Sequence, residues 1–217
     1  MTESLWDATA ADLRARTASA SPTPGGGSVA AVTAAFGCAL VLMALEITAR
    51  RDPSVGDAVA AGRALLDRLG GAADRDVELF EDYLRARRLP RSTDEERVRR
   101  QAAVRAASVA ATEGPLSAAS DAVEALEWAS SVLPAVAGTV VSDVRAGADL
   151  LLGSVLATLR GAAANVAQLG DDAAALTARL DAVRRAAVAA HARIDSTPIA
   201  STPIASTQIA TNPEEPR

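Results

Sequence analysis

The run SVAAVTAAFGCALVLMALEIT, residues 28–48, follows directly on SPTPGGG, residues 21–27, and the reading of these two stretches decides the architecture. By length and apolarity the run could span a bilayer, which takes roughly 20 residues. It is dominated by alanine, is interrupted by Thr33 and Gly37, and carries Glu46 near its end. A membrane span favours Leu, Ile and Phe and excludes charge. The run is therefore expected to be a buried helix of a helical bundle, with no membrane involved. Acids at Glu3 and Asp7 stand where a secretory signal would carry basic residues, so a cytoplasmic protein is expected.

Working outward, 217 residues suit one domain. Apolar residues make up 49% of the chain and aromatics only 2%, so the core must be built from Ala, Val and Leu. Small side chains in such numbers suit close helix packing and are poor material for a β-sandwich. A net charge of −5 argues against a nucleic-acid partner, and every basic residue is arginine. Cys38 and His191 are the single cysteine and histidine. They rule out an internal disulfide, a cysteine-based zinc site and a site needing two imidazoles, so no metal is expected.

Nearly everything up to residue 195 reads as helix, broken by Gly and Pro. The spacing predicts helices over 3–17, 28–50 and 56–88. A fourth should start at Ser92-Thr93-Asp94-Glu95-Glu96, which holds two overlapping capping boxes. Glu113-Gly114-Pro115 should break or kink it, and further helices should cover 115–132, 141–168 and 171–194, the last capped by Asp171 or Asp172. The expectation is an all-α antiparallel bundle of six or seven helices over residues 1–195. Residues 196–217 repeat Ser-Thr-Pro-Ile-Ala and are expected to be a disordered tail.

Three features could carry chemistry. The segment Pro24-Gly25-Gly26-Gly27-Ser28 leaves backbone N–H groups open at a helix start, where an anion is favoured, and Pro22 and Pro24 stiffen its approach. A plain interhelical turn is the simpler reading, but a turn seldom needs two prolines and three glycines. Asp76 lies in an apolar stripe one turn from Ala72 and Phe80, a partly desolvated place suited to a general acid-base, or else to a buried ion-pair partner. Asp74 falls about 160° away around the helix and should be solvated. Ser142 and Asp143 open one helix, where N-capping alone would explain either, and Asn165 lies near its far end; roughly 33 Å of rise separates them. They could share a ligand only if it were long, or if one of them served a neighbouring subunit. Arg50-Arg51 and the cluster Arg85, Arg87, Arg88 and Arg91 read as solvated charge or as steering for an anionic substrate. Cys38 reads as a packing residue, and His191 is assigned no catalytic part.

Together these residues resemble the cyclodeaminase/cyclohydrolase family. Ser21-Pro-Thr-Pro-Gly-Gly-Gly-Ser-Val-Ala-Ala31 resembles its N-terminal signature, and Asp74-Arg-Asp76-Val-Glu-Leu-Phe80 its Asp-x-x-x-Phe segment. Leu89-Pro-Arg-Ser-Thr-Asp-Glu-Glu96 is similar to its Leu-Pro-Lys-x-Thr-x-Glu-Glu stretch. Pro115-Leu116, Ser142-Asp143 and Asn165-Val166 follow in the expected order. The resemblance implies a dimeric helical bundle acting on tetrahydrofolate one-carbon adducts. The activity is either cyclodeaminase or cyclohydrolase, with no tightly bound cofactor. It further implies Asp76 as general acid-base, the segment from Pro24 to Ser28 as substrate loop, and Arg50, Arg51, Ser142, Asp143 and Asn165 as substrate contacts.

The chain departs from the family pattern in three places. Ala137-Gly138-Thr139 stands where Asn-x-Asn is common, Leu169 where a second asparagine is common, and Arg50-Arg51-Asp52-Pro53 lacks an aromatic. The alternative class is a helical binding or scaffold protein that keeps the fold without turnover.

Overall fold

The structure is a computed structural model that describes residues 3–166, 169 and 173–198. Among these residues there are six α-helices and no strand: α1 (Ala10–Thr17), α2 (Gly26–Ala49), α3 (Gly56–Arg87), α4 (Asp94–Val132), α5 (Val141–Val166) and α6 (Ala173–Ser196). Short 3-10 turns lie at Leu5–Asp7, Pro53–Val55, Leu133–Ala135 and Gly138–Val140.

The alanine-rich run is the central helix. By length and composition α2 could cross a membrane, but 67% of its most apolar window is buried. It packs against α3, α4 and α5. Its closest neighbour is α5, and glycine makes the approach possible. A Cβ at Gly37 would stand 2.7 Å from the Gly147 carbonyl oxygen, and one at Gly147 would stand 2.5 Å from that of Gly37. Further along, Ser154 Oγ donates to the Ala30 carbonyl at 2.7 Å. The pairs run in opposite order along the two chains, so α2 and α5 are antiparallel.

On the other side of α2, Gly62 of α3 makes room for a ring. A Cβ there would lie 2.4 Å from Trp128 of α4, whose Nε1 donates to the Ala58 carbonyl at 3.2 Å. Aliphatic side chains fill the remainder, among them Leu45, Leu69, Leu126, Leu151 and Leu159, all fully buried. A core with so few rings depends on small residues packing in register.

Three helix boundaries differ from expectation. The first helix does not cover residues 3–17, because two caps compete for the segment. Ser4 accepts from Trp6 N at the 3-10 turn, and Thr9 accepts from Asp12 N to start α1. The second helix starts at Gly26 instead of Ser28, so two of the glycines lie in its first turn. Glycine-proline at 114–115 does not break the fourth helix: α4 runs unbroken for 39 residues with Pro115 inside. Of its two candidate capping boxes, the one formed is Thr93 with Glu96. At the far end α6 includes Ser196, and the Thr197 carbonyl accepts from Arg145 at 2.7 Å. The expected caps Asp171 and Asp172 and the rest of the repeat tail lie outside the described residues.

Candidate active site

The first turn of α2 and the middle of α3 meet at a carboxylate. α2 begins without a side-chain cap at Gly25, so its first N–H groups are left to other partners. Asp76, on the α3 stripe, brings its carboxylate to this end. Ser28 Oγ donates to Asp76 Oδ2 at 2.7 Å, and Ser28 itself is fully buried. A Cβ on Gly27 would lie 2.2 Å from Asp76 Oδ1. Glycine at 27 is thus explained by the carboxylate that occupies the side-chain position. An anion at a helix N-terminus is favoured by the helix dipole, and here the protein supplies that anion itself. Gly26 has nothing within 4 Å of its Cβ position and stays open. Asp76 pairs with no arginine among the described residues, since its neighbour Arg75 is paired with Glu78 at 3.1 Å.

Two cavities, each of about 280 Å³, meet at Asp76. One opens between α3 and α4 and is lined by Ala72, Arg75, Pro115 and Ala118. The other runs from Pro22 and the glycines to Phe80, Ala111 and Asn165. Thr158 of α5 lines both. Thr33, Thr48, Thr112 and Thr177 each donate to the carbonyl four residues back. The Thr158 hydroxyl makes no hydrogen bond among the described residues although the residue is only 6% exposed, so it is available to whatever fills the cavities.

Pro115 explains how Asn165 is held. A helical residue at 115 would bond its N–H to the Ala111 carbonyl, and proline has none to give. Asn165 Nδ2 donates to that carbonyl at 3.0 Å from α5. The bond ties α5 to α4 at the proline and fixes the amide, whose oxygen has no partner among the described residues.

Asp74 is not solvated as expected. It accepts from Ser4 Oγ at 2.6 Å and from Leu5 N at 2.7 Å, pinning the N-terminal turn to the face of α3 opposite Asp76. The Cys38 thiol is buried against the Gly62 carbonyl and pushed up to about 12, chiefly by desolvation. That fits a packing residue. His191 Nε2 lies 2.6 Å from Asp149 Oδ1 and links α6 to α5.

The expected site residues divide into two groups. Pro24, Gly25, Gly26, Gly27, Ser28, Asp76 and Asn165 gather at one end of the bundle. Arg50 and Arg51 are exposed beyond the other end of α2, roughly 36 Å of helix away. Because α5 is antiparallel to α2, Ser142 and Asp143 sit with the arginines and not with Asp76. Sequence reasoning missed Thr158, and it marked Pro115 without seeing that it lines the cavities. The seven-residue spacing of Thr158 and Asn165, which sets both on one face of α5, was the available signal.

Residues 9–183 match the profile of the family described as formiminotransferase-cyclodeaminase. The chain belongs to this family. Among its relatives, a methenyltetrahydrofolate cyclohydrolase of Methylorubrum extorquens is 36% identical over 155 residues, 69% of this chain and 73% of that protein. A formimidoyltransferase-cyclodeaminase of Sus scrofa is 33% identical over 163 residues, 71% of this chain but 30% of that longer protein. The crystal structure of formiminotetrahydrofolate cyclodeaminase from Thermotoga maritima superposes with a TM-score of 0.75. It covers 87% of this chain and 94% of its own at 20% identity, a likeness of fold.

Proposed function

We propose that this member of the formiminotransferase-cyclodeaminase family is a folate one-carbon enzyme. It acts as a formiminotetrahydrofolate cyclodeaminase or a methenyltetrahydrofolate cyclohydrolase, with Asp76 as general acid-base. The observation that carries this reading is the Asp76 carboxylate. It is oriented by Ser28, lodged in the space Gly27 leaves, and open to cavities on two sides.

Both reactions pass through a tetrahedral carbon bridging two nitrogens, and both need a proton relayed to a departing nitrogen. In hydrolysis, Asp76 takes a proton from water as its oxygen adds to the methenyl carbon. It returns that proton to N5 as the carbon–N5 bond breaks, and the hydroxyl left on the carbon gives its own proton to solvent as the formyl carbonyl forms, yielding the 10-formyl compound. In cyclodeamination, N10 adds to the carbon of the protonated formimino group, and the proton N10 sheds passes through Asp76 to the amino nitrogen, which departs as ammonia and leaves the methenyl cation. The open glycine backbone and the hydroxyl of Thr158 are placed to hold the substrate head, with the oxygen of Asn165 beyond.

The reading includes a cytoplasmic homodimer with no tightly bound cofactor and with neither nucleic acid nor membrane as partner. Support for the dimer comes from a stripe along the outer face of α2. Val29, Thr33, Phe36, Leu40, Met43 and Ile47 recur at helical spacing, with Phe36 59% and Met43 38% exposed. A two-fold axis perpendicular to α2 near Phe36 would lay two α2 helices antiparallel. Arg50 and Arg51 of one subunit would then lie beside the glycine end of the other, the arrangement that would let them touch substrate. The impaired-scaffold alternative is favoured by the missing asparagines: within one subunit Ala137 lies beside Thr48, away from Asp76, but the two-fold arrangement would carry it with Arg50 toward the glycine end of the other subunit.

The test follows the near-ultraviolet band of methenyltetrahydrofolate with wild type and Asp76→Asn, starting from the methenyl and from the formimino compound. Loss of the band marks cyclohydrolase, and its appearance from the formimino compound marks cyclodeaminase. Asp76→Asn is expected to lower kcat by about 10²–10⁴ while leaving helicity intact. A folded wild type inert in both assays sinks the enzyme reading and leaves the scaffold.

A further inference from the structure

Asp76 is reached from two directions, and the two approaches differ in kind. The cavity on the glycine side carries Pro22, Gly25 and Gly26, the ring of Phe80 and the amide of Asn165. It continues past Phe80 into a further space of about 170 Å³ bordered by Tyr83 and Ser108. Rings, an amide and open backbone suit a large heteroaromatic substrate. The cavity between α3 and α4 is lined instead by Ala31, Gly71, Ala72, Gly114 and Ala118, with no ring among the described residues. Its charged rim is committed to itself. Arg68 of α3 bridges to Asp121 of α4 at 3.3 Å and also pairs with Glu124, while Arg75 pairs with Glu78.

Two hydroxyls on this side are uncommitted. Thr158 stands at the inner end, where both cavities meet Asp76, and Ser117 is exposed on α4. Neither makes a hydrogen bond among the described residues. Hydroxyls beside a carboxylate in an otherwise apolar passage can hold water, which needs roughly 2–4 polar partners. The passage offers little to orient anything larger. Glycine gives a second indication. Gly71 in α3 and Gly161 in α5 are exposed residues inside helices, where glycine costs stability. A Cβ at either would meet nothing within 4 Å, so no close packing requires them. Gly71 lines the α3–α4 cavity and not the other, and Gly161 the glycine-side cavity and not the other. A large side chain at either position would narrow the space it lines.

We propose that the cavity between α3 and α4 is the water port of the site, and that Thr158 positions the water against Asp76 while substrate lies on the glycine side. This rests on the folate reading for the substrate and commits the site to hydrolysis. The port supplies the water whose oxygen adds to the methenyl carbon and whose proton Asp76 takes. That water donates one hydrogen to Asp76 and the other to Thr158 Oγ1, which leaves a lone pair directed at the carbon. Because water enters on the far side of the carboxylate, bound substrate need not move to admit it. The consequence is a division of kinetic effects: narrowing the port lowers kcat, and narrowing the glycine side raises KM.

Two measurements test it and separate it from the folate reading. The first follows hydrolysis of methenyltetrahydrofolate in wild type, Gly71→Leu, Gly161→Leu and Gly153→Leu. Gly153 is exposed on α5 with an equally open Cβ position and lines neither cavity, so it serves as the control. Gly71→Leu is expected to lower kcat about tenfold with KM unchanged, Gly161→Leu to raise KM, and Gly153→Leu to match wild type. Ala118→Leu, from the opposite wall, repeats the test should the leucine at 71 turn to solvent. Thr158→Val should lower kcat by about tenfold or more, and Thr158→Ser should restore it, since serine returns the hydroxyl without the methyl. Thermal melts confirm that each variant is folded.

The second measurement needs no turnover. Thr158→Cys in a Cys38→Ala background is timed with methyl methanethiosulfonate, which caps the introduced thiol as a methyl disulfide and releases methanesulfinate. With the glycine side narrowed by Gly161→Leu, modification should proceed, and adding Gly71→Leu should slow it about tenfold. Modification that Gly71→Leu leaves unchanged overturns the port, as does a kcat indifferent to Gly71→Leu, Ala118→Leu and Thr158→Val. A wild type that forms the methenyl compound from the formimino compound yet never hydrolyses it also overturns the port and leaves the enzyme reading standing. A wild type inert in both folate assays, with modification slowed as expected, sinks the enzyme reading and keeps the port as the path of water to Asp76.

Discussion

A methyl group at position 27 would lie 2.2 Å from Asp76 Oδ1, in the space the carboxylate now takes. The colliding atom is the end of a side chain that can turn away, so Gly27→Ala should displace the carboxylate more than it strains the fold. Turnover is expected to fall by at least about tenfold with Tm moved by only a few degrees, read by steady-state kinetics and thermal melts. A variant of full activity would show that the carboxylate need not sit where it does. Cys38 makes a second prediction at this scale, with its sign set by burial. In the unfolded chain the thiol ionises near 9.0, and in the folded chain near 12. Below pH 9 both states hold the proton and stability is unaffected. Between 9 and 12 only the unfolded state releases it, so wild type should lose up to about 1.4 kcal/mol per pH unit relative to Cys38→Ala. Urea melts across that range read the difference directly, and parallel curves for the two proteins would refute it.

At the scale of the element, α4 continues through a residue that ordinarily ends a helix. Pro115 leaves the Ala111 carbonyl without its helical donor, and Asn165 of α5 supplies one. Asn165→Ala should therefore cost about 1–3 kcal/mol, the cost of an unsatisfied half-buried carbonyl. In a Pro115→Ala background position 115 regains its N–H and can close the helical bond itself, so the same substitution should cost less. The difference between the two costs is a coupling energy, measured by a double-mutant cycle on denaturant melts. Additive costs would mean that the bond across the two helices does not depend on the proline. This pairing also bears on function, because it joins α4 to α5 beside the Asp76 cavity and holds the amide that faces it.

At the scale of the whole molecule, the apolar stripe on α2 presents Phe36 and Met43 to solvent in a protein whose other large apolar side chains are mostly buried. Trp6 rests against Phe36 at 6.1 Å between ring centroids and extends the patch. Phe36→Glu places a charge at its middle and should convert a dimer to a folded monomer, read by light scattering with circular dichroism as the control. A wild type that is already monomeric at micromolar concentration would remove the two-subunit account of Arg50 and Arg51.

The helices themselves could be read from the chain, because their formation is local. Alanine and leucine content, the Thr93–Glu96 capping box and glycine or proline at the boundaries act within a few residues of one another. The errors came where a distant partner outweighed a local signal. Gly114-Pro115 reads along the chain as a break or kink, because the donor that compensates for it lies 50 residues away. Asp74 reads along the chain as solvated because its donors, Ser4 and Leu5, lie about 70 residues earlier. Asp76 and the glycine segment were legible as candidates, since an acid in an apolar stripe and glycines at a helix start are visible in one dimension. That Gly27 yields its side-chain space to Asp76, that Thr158 opens onto the same cavities, and that Ser142 stands with Arg50 at the opposite end could be known only from the packing of α3 and α5 on α2. The sequence by itself determined the helices, the small-residue core and the residues able to do chemistry, because these depend on neighbours along the chain. Tertiary structure alone decided which of those residues share a site, because that depends on the crossing of helices whose contacts are set by packing across tens of residues.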